Sequence, residues 1–230
     1  MSIYEREQEY ISILSEREHT VKELARLLFI SEPTVRRDVN ELLSKDLITR
    51  KRGIIKLKTS SPDMHVPMFL RDAENIEAKQ SIAAKAVKRI KDGDTVMLDA
   101  STTVQCLVPY LRGFKNIFII TSGAKTALAL ANMGIRTLCI GGEMAVGAFS
   151  YIGPDAERTL SFYKADVAFI SCRGITEDGI ATDSSIMENS IRRIMMKNAD
   201  RVYLLCDSSK VGKKYLNVLC DKENVTEVIM

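Results

Sequence analysis

Residues 20 to 53 constrain the fold more than any other segment, because they carry signals for two capped helices, a short turn and a basic hairpin in that order. Thr20 and Glu23 have the spacing of a capping box, in which each side chain bonds the other residue's backbone amide. Ser31 can cap the second helix, and Pro33 would then lie in its first turn, where a missing N–H costs nothing.

The two helices are expected to bury one apolar face each and to leave the polar side chains of the second helix outward. The residues predicted to be buried are Leu24, Leu27, Leu28, Val35, Val39, Leu42 and Leu43. Hydroxyl, amide and guanidinium groups near a helix N-terminus suit DNA phosphates and major-groove base edges. The residues of this segment predicted to contact DNA are Ser31, Pro33, Thr34, Arg36, Arg37 and Asn40. Thr34 and Arg37 are predicted to read bases directly.

A basic hairpin is predicted next, because β-prone runs at 47–49 and 54–57 flank a Gly-containing turn. Arg50, Lys51 and Arg52 are predicted to contact phosphates or the minor groove. Positive charge is concentrated in this region, since residues 20–58 hold ten Lys and Arg against five Asp and Glu while the whole chain is +3. The pattern predicts a winged helix-turn-helix DNA-binding domain over residues 1–58, against the plainer interpretation of a solvated helical hairpin with surface arginines.

Composition places the chain among globular proteins, with 46% hydrophobic and 27% charged residues. No apolar run approaches the ~18 residues of a membrane span, and the first residues lack a signal-peptide pattern, so a cytoplasmic protein is expected. Five cysteines without a CxxC motif argue against a disulfide framework or a zinc site. No metal and no cofactor is predicted.

A turn-rich stretch separates the hairpin from a second pattern, so residues 59–74 are predicted to be a linker. A helix is then expected over 69–90. Beyond it, short apolar strands alternate with helical segments, which predicts a mainly parallel sheet covered on both faces. The predicted strands are 95–98, 117–120, 136–140, 167–170 and 202–206. Residues 75–230 are therefore expected to form one α/β domain.

Ligands of open α/β sheets bind outside the carboxyl ends of the strands, and four such ends here carry small, hydroxyl-bearing or charged residues. Ser and Thr hydroxyls, Gly amides and a lysine together make an anion cradle. The residues predicted to bind an effector are Asp99, Ser101, Thr102, Thr103, Thr121, Ser122, Gly123, Gly141, Gly142, Asp207 and Lys210. The plainer interpretation is that these loops only cap the next helices in the chain. Neither a P-loop nor Gly-x-Gly-x-x-Gly is present, which disfavours ATP and dinucleotides.

The chain resembles the DeoR family of bacterial transcriptional regulators over nearly its whole length. The resemblance rests on Ser31-x-x-Thr-Val-Arg-Arg-Asp38, on Asp99-x-x-Thr-Thr103 and on Asp207-x-Ser-Lys210. It implies a second domain related in fold to ribose-5-phosphate isomerase and coenzyme A transferases, and a phosphorylated sugar or sugar alcohol as inducer. Two departures fall in the effector loops, where Ser101 replaces the usual Gly and Ser122 the usual Asn.

These observations predict a repressor of a sugar or polyol operon that binds operator DNA as a homodimer or homotetramer and is released by a phosphorylated sugar. No membrane partner is expected. One alternative is a sugar-phosphate isomerase or transferase with a DNA-binding appendage, whose base would be Asp99, Glu143, Glu188 or Asp207. Another is an activator, because the sign of regulation depends on where the operator lies.

Overall fold

The computed structural model of the chain describes residues 6–7, 9–10, 13–14, 17–44, 47–58, 68–145 and 147–230. The chain divides into two compact units, Met1–Ser61 and Pro62–Met230. The predicted fold class is confirmed: a helix-turn-helix unit is followed by an α/β unit built on a parallel sheet. The predicted linker differs in its last part, because Met68–Ala73 is a helix.

The first unit pairs two helices with a small antiparallel sheet. Its elements are β1 (His19–Thr20), α1 (Val21–Leu27), α2 (Glu32–Ser44), β2 (Ile48–Lys51) and β3 (Ile54–Leu57). The predicted capping box is confirmed, since Glu23 Oε2 accepts from the Thr20 amide at 2.8 Å and Thr20 Oγ1 accepts from the Glu23 amide at 3.3 Å. The sequence did not predict β1, which pairs with β3 and closes the sheet against the hairpin.

Burial in this unit follows the predicted faces except at Leu27 and at Leu43, which is half-buried. Leu24, Val35, Val39 and Leu42 are fully buried. Leu27, in the last turn of α1, was predicted to be buried with them, and this is wrong because 48% of it is exposed. The hydrophobic contact between α1 and α2 is therefore narrower than the apolar pattern indicates.

The second unit is organised around a main sheet in which every neighbouring pair of strands runs parallel, in the order β14-β12-β9-β4-β5-β6. These strands are β4 (Thr95–Leu98), β5 (Phe118–Thr121), β6 (Thr137–Cys139), β9 (Ala165–Ser171), β12 (Ala199–Leu205) and β14 (Glu227–Ile229). The five strands predicted from the sequence all match strands of this sheet, with ends that differ by a few residues.

Two smaller antiparallel sheets flank the main one, and neither was predicted. One pairs β7 (Glu143–Ala145) with β8 (Ser150–Ile152), and the other joins β10 (Gly174–Ile175), β11 (Ile180–Asp183) and β13 (Asn217–Asp221). The helices of this unit are α3 (Met68–Ala73), α4 (Ile76–Ala86), α5 (Thr102–Gln105), α6 (Ala124–Asn132), α7 (Pro154–Ser161) and α8 (Ile186–Asn198). No helix in the described part of the chain is long and apolar enough to span a membrane.

The main sheet is buried on both faces. Successive residues of β4 alternate between two hydrophobic cores, with Val96 and Leu98 in one and Met97 in the other. The first core packs against α4 through Ile82, and the second packs against α8 through Ile191. Burial on both faces requires the continuous apolar strands from which the parallel sheet was predicted.

The single helix predicted over 69–90 is wrong, because the helical path is interrupted between α3 and α4. Asn75 adopts a left-handed conformation with φ +53°, and α4 begins at the next residue. Helix propensity and apolar spacing continue through this break, so neither signal marks it. The break leaves Asn75 at the amino end of α4, where its side chain faces the segment after β12.

Candidate functional site

The outward face of α2 carries the side chains predicted to contact DNA. Ser31 Oγ lies 2.9 Å from Thr34 Oγ1 and accepts from the Thr34 amide at 3.4 Å, which caps the helix. Arg36 and Arg37 are exposed on the following turn, and Arg36 forms an exposed ion pair with Glu32. Pro33 and Asn40 are exposed on the same helix, and Thr34 is half-buried.

The inward face of α2 is held by a polar contact that the sequence did not indicate. Asp38 is buried, and its Oδ2 accepts from Arg6 Nε at 3.0 Å and from the Tyr10 hydroxyl at 3.3 Å. Burial together with the neighbouring Asp38 carboxylate raises the pKa of Tyr10. These bonds fix the orientation of α2 about its axis, and so fix which residues face outward.

The basic hairpin has the geometry of a tight two-residue turn. Arg52 and Gly53 connect β2 to β3 with φ values of +50° and +81°, as a type I′ turn requires. Arg50 and Lys51 lie on β2 rather than in the turn, and their side chains point to opposite faces because strand residues alternate. All three cations are exposed.

In the second unit, Lys210 joins the carboxyl ends of three neighbouring strands. Its ammonium donates to Ser171 Oγ at 3.0 Å and to Thr103 Oγ1 at 3.4 Å, and it lies 3.6 Å from Asp207 Oδ2. Ser171 ends β9, whereas Thr103 follows β4 and Asp207 follows β12. Of the predicted effector residues, Thr103, Asp207 and Lys210 are therefore in direct contact.

A second lysine, Lys79 on α4, lies close to the first. It is only 3% exposed, and its ammonium donates to the Arg71 carbonyl. Burial lowers the pKa of Lys79, and the charge of Lys210 lowers it further. Lys79 is buried and Lys210 is half-buried, and two ammonium groups close enough to interact can together bind one anion.

Lys79, Thr103, Ser171, Asp207 and Lys210 form one cluster, and Asn75 and Ser209 lie on its exposed side. Asn75 Nδ2 donates to Ser209 Oγ at 2.9 Å and to Asp207 Oδ1 at 3.5 Å. Burial would raise the pKa of Asp207, but the Ser209 hydroxyl and the Lys210 ammonium outweigh it and lower that pKa. Among the described residues, Asp207 Oδ2 accepts no hydrogen bond and has only the longer Lys210 contact.

Asp99, which the sequence suggested as an acceptor for sugar hydroxyls, is bound by donors of the protein itself. Its Oδ1 accepts from the Ser101 amide at 2.9 Å, and its Oδ2 accepts from the Ser171 amide at 3.0 Å and from Arg192 Nε at 2.9 Å. The residue is 1% exposed. The geometry assigns Asp99 to positioning the β4 and β9 loops.

Arg192 is the centre of this buried charge network. Its Nη1 donates to Asp183 Oδ2 and to Asn189 Oδ1, both at 3.0 Å, and its Nη2 lies 3.9 Å from Glu188 Oε1. Burial alone would lower the pKa of Arg192, but the carboxylates of Asp183, Asp99 and Glu188 raise it well above its ordinary value. The guanidinium therefore stays charged and holds α8 against the strand ends.

The serine and threonine residues next to the cluster bond largely to their own loops. Ser101 Oγ accepts from the Val104 amide at 3.2 Å and caps α5, which begins with the buried Thr102. Thr121 Oγ1 accepts from the Gly123 amide at 3.0 Å, and the backbone of Ser122 bonds to the β8 strand through Tyr151. Ser101 thus matches the plainer interpretation, in which such residues cap the next helix in the chain, whereas α6, with Gly123 at its N-cap, has no side-chain cap bond.

Gly141 and Gly142 are not brought to the cluster. They follow β6, four strand positions from β12, which corresponds to about 19 Å at ordinary strand spacing. A Cβ on Gly142 would lie 2.8 Å from both the Ala156 Cβ and the Ile152 carbonyl oxygen. Gly142 therefore allows α7 to pack against the chain, and the anion-binding role expected from the sequence stays a prediction.

Comparison with known families decides the identity of both units. Residues 6–61 match a family model described as "DeoR-like helix-turn-helix domain", and residues 74–230 match one described as "DeoR C terminal sensor domain". The chain belongs to the DeoR family. The resemblance found in the sequence motifs is thereby confirmed.

Relatives of this DeoR-family chain are named as transcriptional regulators. It is 31% identical to the HTH-type transcriptional regulator GolR of Listeria innocua, over 98% of this chain and 89% of the relative. It is 30% identical to the lactose phosphotransferase system repressor of Staphylococcus epidermidis, over 100% and 92% of the two chains. It is also 30% identical to the glycerol-3-phosphate regulon repressor of Escherichia coli, over 84% and 77%.

Solved structures share the fold of the sensor domain. The delta subunit of eIF2B from Chaetomium thermophilum matches with a TM-score of 0.50 at 18% identity, over 70% of this chain and 58% of that one. Ribose 5-phosphate isomerase A from Methanocaldococcus jannaschii matches with a TM-score of 0.46 at 19% identity, over 60% and 55%. At these identities the likeness concerns the fold alone.

The sequence missed several residues of the sensor-domain cluster, namely Asn75, Lys79, Arg192 and Ser209. Lys79 and Arg192 lie on helices with apolar faces, and a lysine or arginine there ordinarily points to solvent. One signal was available for Lys79, which shares the buried face of α4 with Ile82 and Ala83 at helical spacing. A cation on an apolar face is a candidate for a buried functional charge.

Proposed function

We propose that this DeoR-family chain is a transcriptional repressor of a sugar or polyol operon, and that a phosphorylated sugar releases it from its operator. The relatives named as repressors of the lactose phosphotransferase system and of the glycerol-3-phosphate regulon support this proposal. The chain would act in the cytoplasm, where operator DNA is found, as a homodimer or homotetramer on symmetric or repeated half-sites.

The observation that carries the proposal is the pair of ammonium groups from Lys79 and Lys210. Burial lowers the pKa of Lys79 most and the charge of Lys210 lowers it further, so keeping both lysines charged costs free energy in the free chain. A bound phosphate would offset this cost by accepting charge-assisted hydrogen bonds from both lysines. Ser171 and Thr103 already contact Lys210, so their hydroxyls are within reach of the same oxygens.

The sugar portion of the ligand would lie toward Asn75 and Ser209, whose amide and hydroxyl groups are exposed at the outer side of the cluster. Amide and hydroxyl side chains both donate and accept, which suits sugar hydroxyls. Asn75 also stands at the break between α3 and α4, so a ligand that binds it can favour one arrangement of this segment. Differential affinity for two arrangements is what a sensor requires.

We propose binding without catalysis in this domain. An isomerase would need a carboxylate base, and Asp99 is engaged by three donors. Asp207 is the remaining candidate in contact with the cluster, and its lowered pKa makes it a weak base. Glu188 is buried beside Arg192, and Glu143 lies on β7, in the hairpin away from Lys210.

On the DNA side, we propose that Thr34 and Arg37 contact bases in the major groove. Ser31, Arg36 and the three hairpin cations would contact phosphates or the minor groove. The exposure of these groups on the outward face of α2 and on the β2–β3 hairpin supports this division. Helix residues near the N-terminus reach base edges in this class of domain, whereas hairpin residues lie along the backbone.

The test is an operator-binding titration with the full chain on a DNA site selected from a random-sequence pool. A panel of phosphorylated sugars and polyols, with their unphosphorylated forms as controls, is added to the preformed complex. We expect at least one phosphorylated compound to release the DNA while its unphosphorylated form does not. Release by unphosphorylated sugars alone, or tighter DNA binding with every phosphate, would contradict the proposal.

A further inference from the structure

The loop after β9 holds an arginine that the proposed phosphate site does not use. Arg173 lies two residues beyond Ser171, whose hydroxyl contacts Lys210. Its Nη1 is shielded from solvent and has no hydrogen-bond partner among the described residues. A buried guanidinium donor without an acceptor costs free energy, so its presence next to a ligand site requires an explanation.

The guanidinium of Arg173 is held in place by its surroundings. It lies over the Tyr215 ring, 5.3 Å from the ring centroid. The Arg173 amide donates to the Thr182 carbonyl, and the Tyr215 amide donates to Thr182 Oγ1, both at 3.0 Å. Thr182 therefore anchors the backbone of both Arg173 and Tyr215. A preorganised arginine loses little freedom when it binds an anion.

The segment that follows Lys210 runs alongside the same loop. The Gly212 amide donates to the Ile175 carbonyl at 2.8 Å. A Cβ on Gly174 would lie 2.4 Å from the Lys213 carbonyl oxygen, so only glycine permits this approach. Arg173 is thereby fixed to the segment that carries Lys210.

Two internal carboxylates near this loop, those of Asp99 and Asp183, are already bound by other donors. Asp183 accepts from Arg192 through Oδ2 and from the Ser184 and Ser185 amides through Oδ1. Asp99 is likewise fully engaged. Within the described part of the chain, neither carboxylate therefore accepts from Nη1 of Arg173.

From this geometry we infer that the effector carries a second anionic group, a carboxylate or a second phosphate, which Arg173 binds while Lys79 and Lys210 hold the first phosphate. The inference rests on the proposed phosphate site and specifies its ligand class. A planar guanidinium forms paired hydrogen bonds with either kind of anion. Arg173 thus selects phosphorylated sugar acids or bisphosphates over monophosphates.

The test uses three pairs of probes that differ in charge at the end away from one phosphate. They are glucose 6-phosphate with 6-phosphogluconate, fructose 6-phosphate with fructose 1,6-bisphosphate, and glycerol 3-phosphate with 3-phosphoglycerate. Dissociation constants are measured by calorimetry on the full chain. In at least one pair we expect the doubly anionic member to bind at least tenfold more tightly, and R173Q to remove this preference while it leaves monophosphate affinity within about twofold.

The matched control is R136Q, because Arg136 also stacks on an aromatic ring, that of Phe118 at 4.8 Å, but precedes β6 at the other edge of the sheet. R136Q should keep the preference. The inference is overturned if monophosphates bind as tightly as their doubly anionic partners. It is also overturned if R173Q keeps the preference and only lowers the melting temperature of the ligand-free chain, which would assign Arg173 a structural role. A chain that binds none of the six probes would overturn the phosphate site itself.

Discussion

Arg192 Nε donates a hydrogen bond to Asp99 Oδ2 at 2.9 Å, which ties helix α8 to the loop after β4 in the buried interior of the sensor domain. The same guanidinium serves Asp183 and contacts Glu188. This single cation therefore compensates several buried carboxylates. It also fixes, through Asp99, the Ser171 amide at the strand end where Lys210 is bound.

Removal of this cation is expected to destabilise the sensor domain strongly. R192M leaves buried carboxylates without a partner, which costs about 3–5 kcal/mol of unfolding free energy. The measurement is urea unfolding of the full chain followed by circular dichroism. The control is R158M, which removes an exposed ion pair with Asp155 and should change the free energy by less than about 1 kcal/mol. Equal losses in the two variants would contradict the assignment.

Base contacts and phosphate contacts by the first unit should respond differently to substitution. R37A should lose about 1–3 kcal/mol on the selected operator and less on random DNA, because a base contact is removed. R52A, at the hairpin turn, should weaken binding to all DNA sequences alike. It should also reduce the slope of log affinity against log salt concentration by about 1, because one phosphate contact is lost. Titrations on both DNAs at several salt concentrations distinguish these roles. A uniform loss in R37A would move Arg37 to the phosphate contacts.

Alanine substitutions at Gly141 and Gly142, which follow β6, distinguish a packing role from a ligand-binding role. G142A places a methyl group against Ala156 and Ile152 at a residue with φ +100°, so the melting temperature should fall by several degrees. G141A, at φ +68° with open space around it, should cost only the strain of a left-handed alanine, about 1–2 kcal/mol. Affinity for a sugar phosphate should change in neither variant. Lost affinity with unchanged stability would restore the anion-binding interpretation.

The local signals of the chain were sufficient to predict the helix-turn-helix and hairpin of the first unit and the positions of five strands of the main sheet. The capping box of Thr20 and Glu23 and the cap at Ser31 depend on residues three apart, so the sequence displays them directly. Parallel strands buried on both faces give continuous apolar runs, which made β4 and β9 visible. Sequence patterns could not reveal β1, because a strand of two residues is too short to show an alternation of apolar and polar residues.

The sensor-domain cluster was only partly predictable, because its contacts join distant positions. Lys210 was predicted, since it follows a strand, but Lys79 approaches it from a helix more than 100 residues earlier. Asn75 depends on a left-handed residue within a segment of helical pattern. The role of Gly142 could not be predicted either, because a glycine that permits helix packing and one that permits ligand approach look alike in a sequence.

Protonation of Lys79 should couple ligand binding to pH. Its pKa in the free chain is lowered from 10.5 by burial and by Lys210, and a bound phosphate should raise it again by favouring the charged form. Affinity should therefore fall as the pH rises through the lowered pKa of the free chain, and binding in that window should take up protons. Calorimetry in two buffers of different ionisation enthalpy counts those protons. K79M should show a smaller uptake, and an uptake equal to that of the unmodified chain would exclude Lys79 as its source.

The most direct test of the account is the affinity of the unmodified chain, K79M and K85M for the sugar phosphate that gives the largest thermal shift. Lys85 lies on the same helix as Lys79 but is exposed and donates to the Met230 carbonyl, so K85M is the matched control. We predict that K79M weakens binding about tenfold to hundredfold, as the loss of a charge-assisted hydrogen bond does, and that K85M changes it less than twofold. Unchanged affinity in a folded K79M would contradict a phosphate site between Lys79 and Lys210.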